Sequence, residues 1–216
     1  MNRREAVQYI SLLVGGSIVG SHYFLAGCTN PGANPMAFTP DDVSYLDEIA
    51  DTILPTTSTP GAKAAQVGKF MTVMVNDCYD AADQKTFHEG MDQLNKRSRD
   101  QYGKSFIDAS PQQRHDLLVA IDKEVANYQK QTYDHFKNLT PEQESAMTQQ
   151  ENHDGTNDLT AMLKKDPNYY FKMMKELTLL GYFTSEIGCT KARRYVETPG
   201  RFDGCVDYHK GDKAWA

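Results

Sequence analysis

At 216 residues with a formal charge of −6, the chain is long enough for one domain with a packed core. Its acidic balance, with no Lys/Arg-rich tract, excludes the concentrated positive charge that nucleic acid demands and argues against attraction to anionic lipid headgroups.

The first element is an export signal. Arg3 and Arg4 supply a short basic start, and a run without formal charge extends from Ala6 to Gly27, ending Leu25-Ala26-Gly27-Cys28. Leu-Ala-Gly-Cys is a lipoprotein cleavage box, so residues 1–27 read as a signal peptide and Cys28 as the acylated N terminus. Gln8, Ser11, Ser17, Ser21 and His22 leave the run too weakly apolar for a bilayer core. The alternative is an uncleaved anchor helix. Arg3-Arg4 before so mild an apolar zone also resembles a twin-arginine signal, although Asn2–Val7 lacks the usual Phe-Leu pair. Removing residues 1–27 takes away two Arg and one Glu, which moves the charge from −6 to −7. Residues 28–38, rich in Pro, Gly and Asn, read as a tether.

From residue 39 to 216 the patterns predict a single all-α domain, an irregular helical bundle with a loop-rich C-terminal tail. Thr39-Pro40-Asp41-Asp42 is a helix start with a capping side chain, proline at the first position and acids at the positive end. Val43, Leu46, Ala50 and Ile53 keep helical spacing up to a stop at Pro55. After the loop Pro55–Gly61, a second helix places Val67, Phe70, Met74 and Cys78 on one face. A third is predicted from Asp83 to Tyr102, with Phe87, Met91, Leu94 and Ser98 inward and Gly103 as its stop. Ser110-Pro111-Gln112-Gln113 is a capping box opening a fourth helix with the stripe Leu118, Ile121, Val125 and Tyr128. Residues 140–165 are polar and read as partly helical. Asp166-Pro167 opens a fifth helix so apolar, from Tyr169 to Phe183, that it is either central or covers another chain.

With Cys28 assigned to lipidation, Cys78, Cys189 and Cys205 remain in an oxidising compartment. One bridge with a free thiol, a bridge to a partner chain, or three buried thiols each satisfy the count. Cys78 is expected in the core; Cys189 and Cys205, in looser sequence, are the disulfide candidates.

No catalytic constellation emerges. Gly15–Gly20 lies inside the signal and follows no strand. The histidines His88, His115, His135, His153 and His209 never reach metal-ligand spacing. Asn152–Asp158 is oxygen-rich but lacks the alternation of a calcium loop. Tyr133 and Lys137 have a dehydrogenase-like spacing without a dinucleotide fold around them. The chain is therefore expected to be no enzyme by itself and to hold neither cofactor nor metal.

Leu177–Gly188, reading LTLLGYFTSEIG, leads into Tyr195–Val206, reading YVETPGRFDGCV. With Ile49–Thr57 and Thr59–Ala62 upstream, these stretches resemble the gluconate 2-dehydrogenase subunit 3 family over roughly Thr39 to Val206. The resemblance implies the small subunit of a membrane-bound flavin-dependent sugar or polyol dehydrogenase. Its large partner would be a GMC-type flavoprotein carrying FAD, with a cytochrome subunit often accepting the electrons. The small subunit of this family carries no cofactor and is thought to help the large one fold and be exported. A lipidated Cys28 would add anchoring on the periplasmic side of a bacterial membrane. The competing reading is a free-standing lipoprotein that binds a sugar or a protein.

As partner contacts, Tyr182, Phe183, Tyr195 and Phe202 are the residue types that anchor interfaces, with Thr184, Ser185, Glu186 and Pro199 beside them. Core or turn duty is the alternative for each.

Overall fold

Two reciprocal caps set the register of the bundle. In the computed structural model, which describes residues 37–140, 143, 158–198, 200–201 and 204–215, helix α1 spans Pro40–Ile53. The Asp42 N–H donates to Thr39 Oγ1 at 3.2 Å, and the Thr39 N–H donates to Asp42 Oδ2 at 2.8 Å. Two of the four orphan donors of a helix start are thereby satisfied. Ser110 and Gln113 repeat the arrangement at the head of α4, Pro111–Lys137. Between them lie a short 3-10 turn Lys63–Ala65, α2 at Val67–Cys78 and α3 at Ala81–Tyr102. Helix α5, Asp158–Leu163, and α6, Tyr169–Thr184, follow, and a π-helical turn covers Gly188–Ala192. Among the described residues the unit Phe38–Ala216 is all-α, with one isolated bridge, between Arg194 and Trp215.

Helix α6 is the centre, packing against α1, α2, α3 and α4. It buries Tyr170, Phe171, Met173, Met174, Leu177 and Tyr182 against Leu46, Ile49, Met71, Phe87, Leu94 and Ile121 of the other helices. Close approach of α3 depends on Gly90: a Cβ there would stand 2.2 Å from Tyr170 Cβ. Burying a Phe or Leu side chain is worth roughly 1.5–3 kcal/mol, whereas an exposed ion pair such as Arg97–Glu124 adds at most about 1 kcal/mol. Packing therefore holds the bundle, and the pair Lys175–Asp122 between α6 and α4 and the pair of Asp83 with Lys164, just past α5, decorate it. Tyr45 and Tyr170 put their hydroxyls inside as well; burial pushes the Tyr170 phenol up to about 12, and Tyr45 further still.

Several expectations shift. Helix α3 starts two residues early because Asp80 Oδ1 accepts the Asp83 N–H at 2.8 Å. Helix α2 turns Val67, Met71, Thr72 and Val75 inward, leaving Phe70 and Met74 half-buried and Cys78 exposed. Both stripes are apolar, and packing against Asp47 and Val43 of α1 selects the one that carries Gly68. Helix α6 begins at Tyr169, not at Pro167: Asp166 Oδ1 accepts the Asn168 N–H at 2.8 Å, and this turn precedes the first helical residue. Cys189 and Cys205 are not joined to one another, and none of the three described cysteines is bridged within the chain. The Cys189 thiol instead donates to the Phe183 carbonyl at 3.3 Å. The oxygen-rich stretch 152–158 lies almost wholly outside the described residues.

Candidate partner interface

The two resembling stretches, far apart in sequence, close on one another. The loop after α1 is held by its own backbone and hydroxyls: Ala62 N–H donates to the Leu54 carbonyl at 2.9 Å, and Gly61 N–H to Thr56 Oγ1 at 3.1 Å. From the end of α6, the Tyr182 hydroxyl donates to the Pro60 carbonyl at 2.6 Å. A cleft of about 370 Å³ runs along the contact, lined by Leu54, Pro55, Thr57, Thr59, Pro60, Tyr182, Phe183 and Ala192.

Ser185 ends α6 in an extended conformation and ties the turn. Its hydroxyl donates to the Tyr182 carbonyl at 2.7 Å and accepts the Gly188 N–H at 3.0 Å. Residue 188 must be glycine, since a Cβ there would fall 1.8 Å from the Tyr182 carbonyl oxygen. The Phe183 ring meets Tyr182 edge-on at 5.1 Å, and the Arg193 guanidinium lies 5.0 Å from its centroid.

The sequence-derived candidates therefore separate. Tyr182 is only 4 % exposed and belongs to the core, with its hydroxyl already engaged. That burial leaves it no surface to offer a partner, and Ser185 acts as a cap. Phe183 is half-buried; Thr184, Glu186 and Tyr195 are exposed. Pro199 and Phe202, like Arg3, Arg4 and Cys28, lie outside the described residues. Sequence reasoning missed Arg193, Arg194, Tyr208 and Trp215. The basic pair at 193–194 and the chain's single tryptophan were the signals available.

The groups with displaced proton affinity sit elsewhere. Hydrogen bonding from Lys63, then from Arg114, holds the Glu48 carboxyl below its ordinary value, and burial raises Asp47. None of these lines the cleft. Among the described residues, no cluster of His, Cys, Asp or Glu is placed to hold a metal ion, and no helix is long and apolar enough to cross a membrane.

What the surface offers is contact. Five exposed large apolar residues, Tyr195, Val196, Val206, Tyr208 and Trp215, fall in the last segment, beside the cleft-forming turn in sequence. The family model for gluconate 2-dehydrogenase subunit 3 matches residues 40–200, and the chain belongs to that family. Membership makes it an accessory subunit of a dehydrogenase complex. No curated protein and no solved structure matches the chain.

Proposed function

We propose that this chain is the non-catalytic small subunit of a periplasmic, membrane-bound dehydrogenase that oxidises a sugar or polyol alcohol, with FAD bound in a GMC-type large subunit. The observation that carries the reading is the family match over residues 40–200, supported by the closure of both of its distinctive stretches through Tyr182 and Pro60. A surface of exposed aromatics beside a rigid helical body suits a scaffold on which a larger protein folds. Arg3-Arg4 then serves a partner without a signal of its own, carried across the membrane already folded. Cys28, acylated, tethers the complex; bacterial lipoproteins carry several chains, which makes such attachment durable. Electrons leave to a cytochrome subunit or another acceptor.

Mild-detergent affinity purification from native membranes, read by mass spectrometry and flavin absorbance, tests this. A yellow complex with a large flavoprotein is the expected result. A colourless, solitary lipoprotein overturns the reading and favours a free-standing binding module. An unmodified Cys28 in a complex that salt washes from membranes removes the anchoring role alone.

A further inference from the structure

One wall of the cleft is braced from outside the bundle. Ala192 lines the cleft, and the Arg193 guanidinium lies 5.0 Å from the ring centroid of Phe183, which lines it too. The π-helical turn that leads to them is fixed unevenly. Its first half is tied to the end of α6: the Cys189 N–H donates to the Ser185 carbonyl at 2.9 Å, and the Thr190 hydroxyl to the Glu186 carbonyl at 2.7 Å. Its second half closes through the Arg193 N–H, which donates to the Gly188 carbonyl at 3.0 Å. A bond of that span is rare in helices and gathers at functional sites.

The last described residues grip this second half on both sides of Ala192 and Arg193. On one side, the Lys213 ammonium donates to the Lys191 carbonyl. On the other, the Arg194 N–H donates to the Ala214 carbonyl at 2.8 Å, and Arg194 and Trp215 form a parallel bridge. The Arg194 guanidinium lies 4.4 Å from the Trp215 ring centroid. Its Nε is buried and, among the described residues, has no hydrogen-bond acceptor, so the clasp rests on the ring. The grip is shallow. Lys213 and Ala214 are exposed and Trp215 is 52 % exposed, and a cation on an open ring contributes less than a buried side chain does. Residues 213–215 can therefore lift away while the helices stay packed.

We propose that residues 213–215 are a releasable strap that keeps the cleft narrow. Fastened, the strap holds Ala192 and Arg193 against the Phe183 side of α6. Released, residues 191–194 swing outward from Thr190, and the cleft opens on that side. The family match covers residues 40–200, so both walls of the cleft lie within it and the strap lies beyond it. Contact at the C terminus that draws Trp215 off Arg194 is thus converted into a change of shape in the matched region. A terminus that merely rested on the turn would leave the wall unmoved on release.

The experiment uses the full chain purified in mild detergent, as wild type, with Trp215→Ala or Trp215→Phe, and ended after Asp212. Amide hydrogen exchange reads the wall. Exchange at residues 191–194 should quicken about tenfold in the shortened chain and about threefold in Trp215→Ala, as loss of backbone and ring contacts from a local opening does. Trp215→Phe keeps a ring for the guanidinium and should stay near wild type. Amides of Met174 and Leu177 in α6 should not change. Spin labels on T57C and K191C, in a chain with C78S, C189S and C205S, read the cleft by double electron–electron resonance. Their separation should lengthen by several ångströms with Trp215→Ala. Wild-type exchange in both Trp215→Ala and the shortened chain overturns the strap. Faster exchange with an unmoved label separation overturns its hold on the cleft. Faster exchange through α6 as well makes residues 213–215 part of the core and also overturns it. None of these readouts needs a partner, so the strap and the small-subunit reading fail separately.

Discussion

Phe87 in α3 and Tyr208 in the terminal loop are both aromatic, yet the first is wholly enclosed and the second is 74 % exposed. The same contrast separates residues 40–184 from residues 191–215. In the body, large side chains interlock around α6, and polar groups serve caps and inter-helix pairs. In the terminal segment Tyr195, Tyr208 and Trp215 are exposed, and order comes from a few bonds near Arg194, Trp215 and His209. A substitution in the body should therefore be felt as lost stability. One in the segment should be felt as lost association with the helices intact.

The contrast can be broken at several points. Phe87→Ala should cost the most, about 3–5 kcal/mol by urea unfolding, since it removes a fully enclosed ring. Gly90→Ala comes next. The Cβ of Tyr170 blocks the added methyl, so overpacking of about 1–3 kcal/mol should outweigh the helix propensity gained. Tyr182→Phe should lose about 1 kcal/mol, because it removes the hydroxyl bonded to Pro60 while keeping the ring. If Tyr182→Phe instead abolished partner recovery at unchanged stability, the boundary drawn here between body and interface would be wrong.

Smaller effects sharpen the picture. The carboxyl of Glu48, which joins Lys63 of the 3-10 turn to Arg114 of α4, is held below its ordinary value in the folded chain. Its stabilisation is therefore complete above the unfolded value and is lost as pH falls through the folded one. Glu48→Gln should lower neutral-pH stability by about 0.5 kcal/mol and flatten the loss of stability that begins as pH falls through the ordinary Glu value of about 4.3. Trp215→Ala should change body stability by less than about 0.5 kcal/mol, whatever it does to partner recovery. A larger loss would make the terminal segment part of the core.

What the sequence made legible is local. The caps at Thr39 and Ser110, the inward face of α3 and the stop at Gly103 were legible, whereas α1 buries Tyr45, Leu46, Ile49 and Ala50 and leaves the expected Val43 and Ile53 half-buried. The apolar run from Tyr169 to Phe183 announced a helix that is either central or covers another chain, and its packing against α1, α2, α3 and α4 makes it central. Residues that answer to distant partners were not legible. In α2 two apolar stripes compete, and only the approach of Asp47 to Gly68 decides between them. Tyr182 looked like an interface anchor because its acceptor, the Pro60 carbonyl, stands 122 positions upstream. The clasp of Arg194 on Trp215 spans a loop whose composition carries no periodic signal. The overlooked features were thus long-range contacts, to which pattern reading along one chain is blind.

The Tyr182–Pro60 hydrogen bond also sets a clock. Because α6 is both the centre of the bundle and its last long helix, α1 to α4 emerge from the ribosome without the element they enclose. At roughly 5–20 residues per second, the 122 positions from Pro60 to Tyr182 take about 6–24 s to synthesise. Throughout that interval Leu46 and Ile49, and Phe87 and Leu94 once they are made, have no α6 to cover them. Contacts of such long sequence separation also form slowly once both ends exist. The body is therefore completed late and nearly all at once, and a chain cut short before Tyr169 should behave as a sticky, unclosed intermediate, not as a smaller version of the fold.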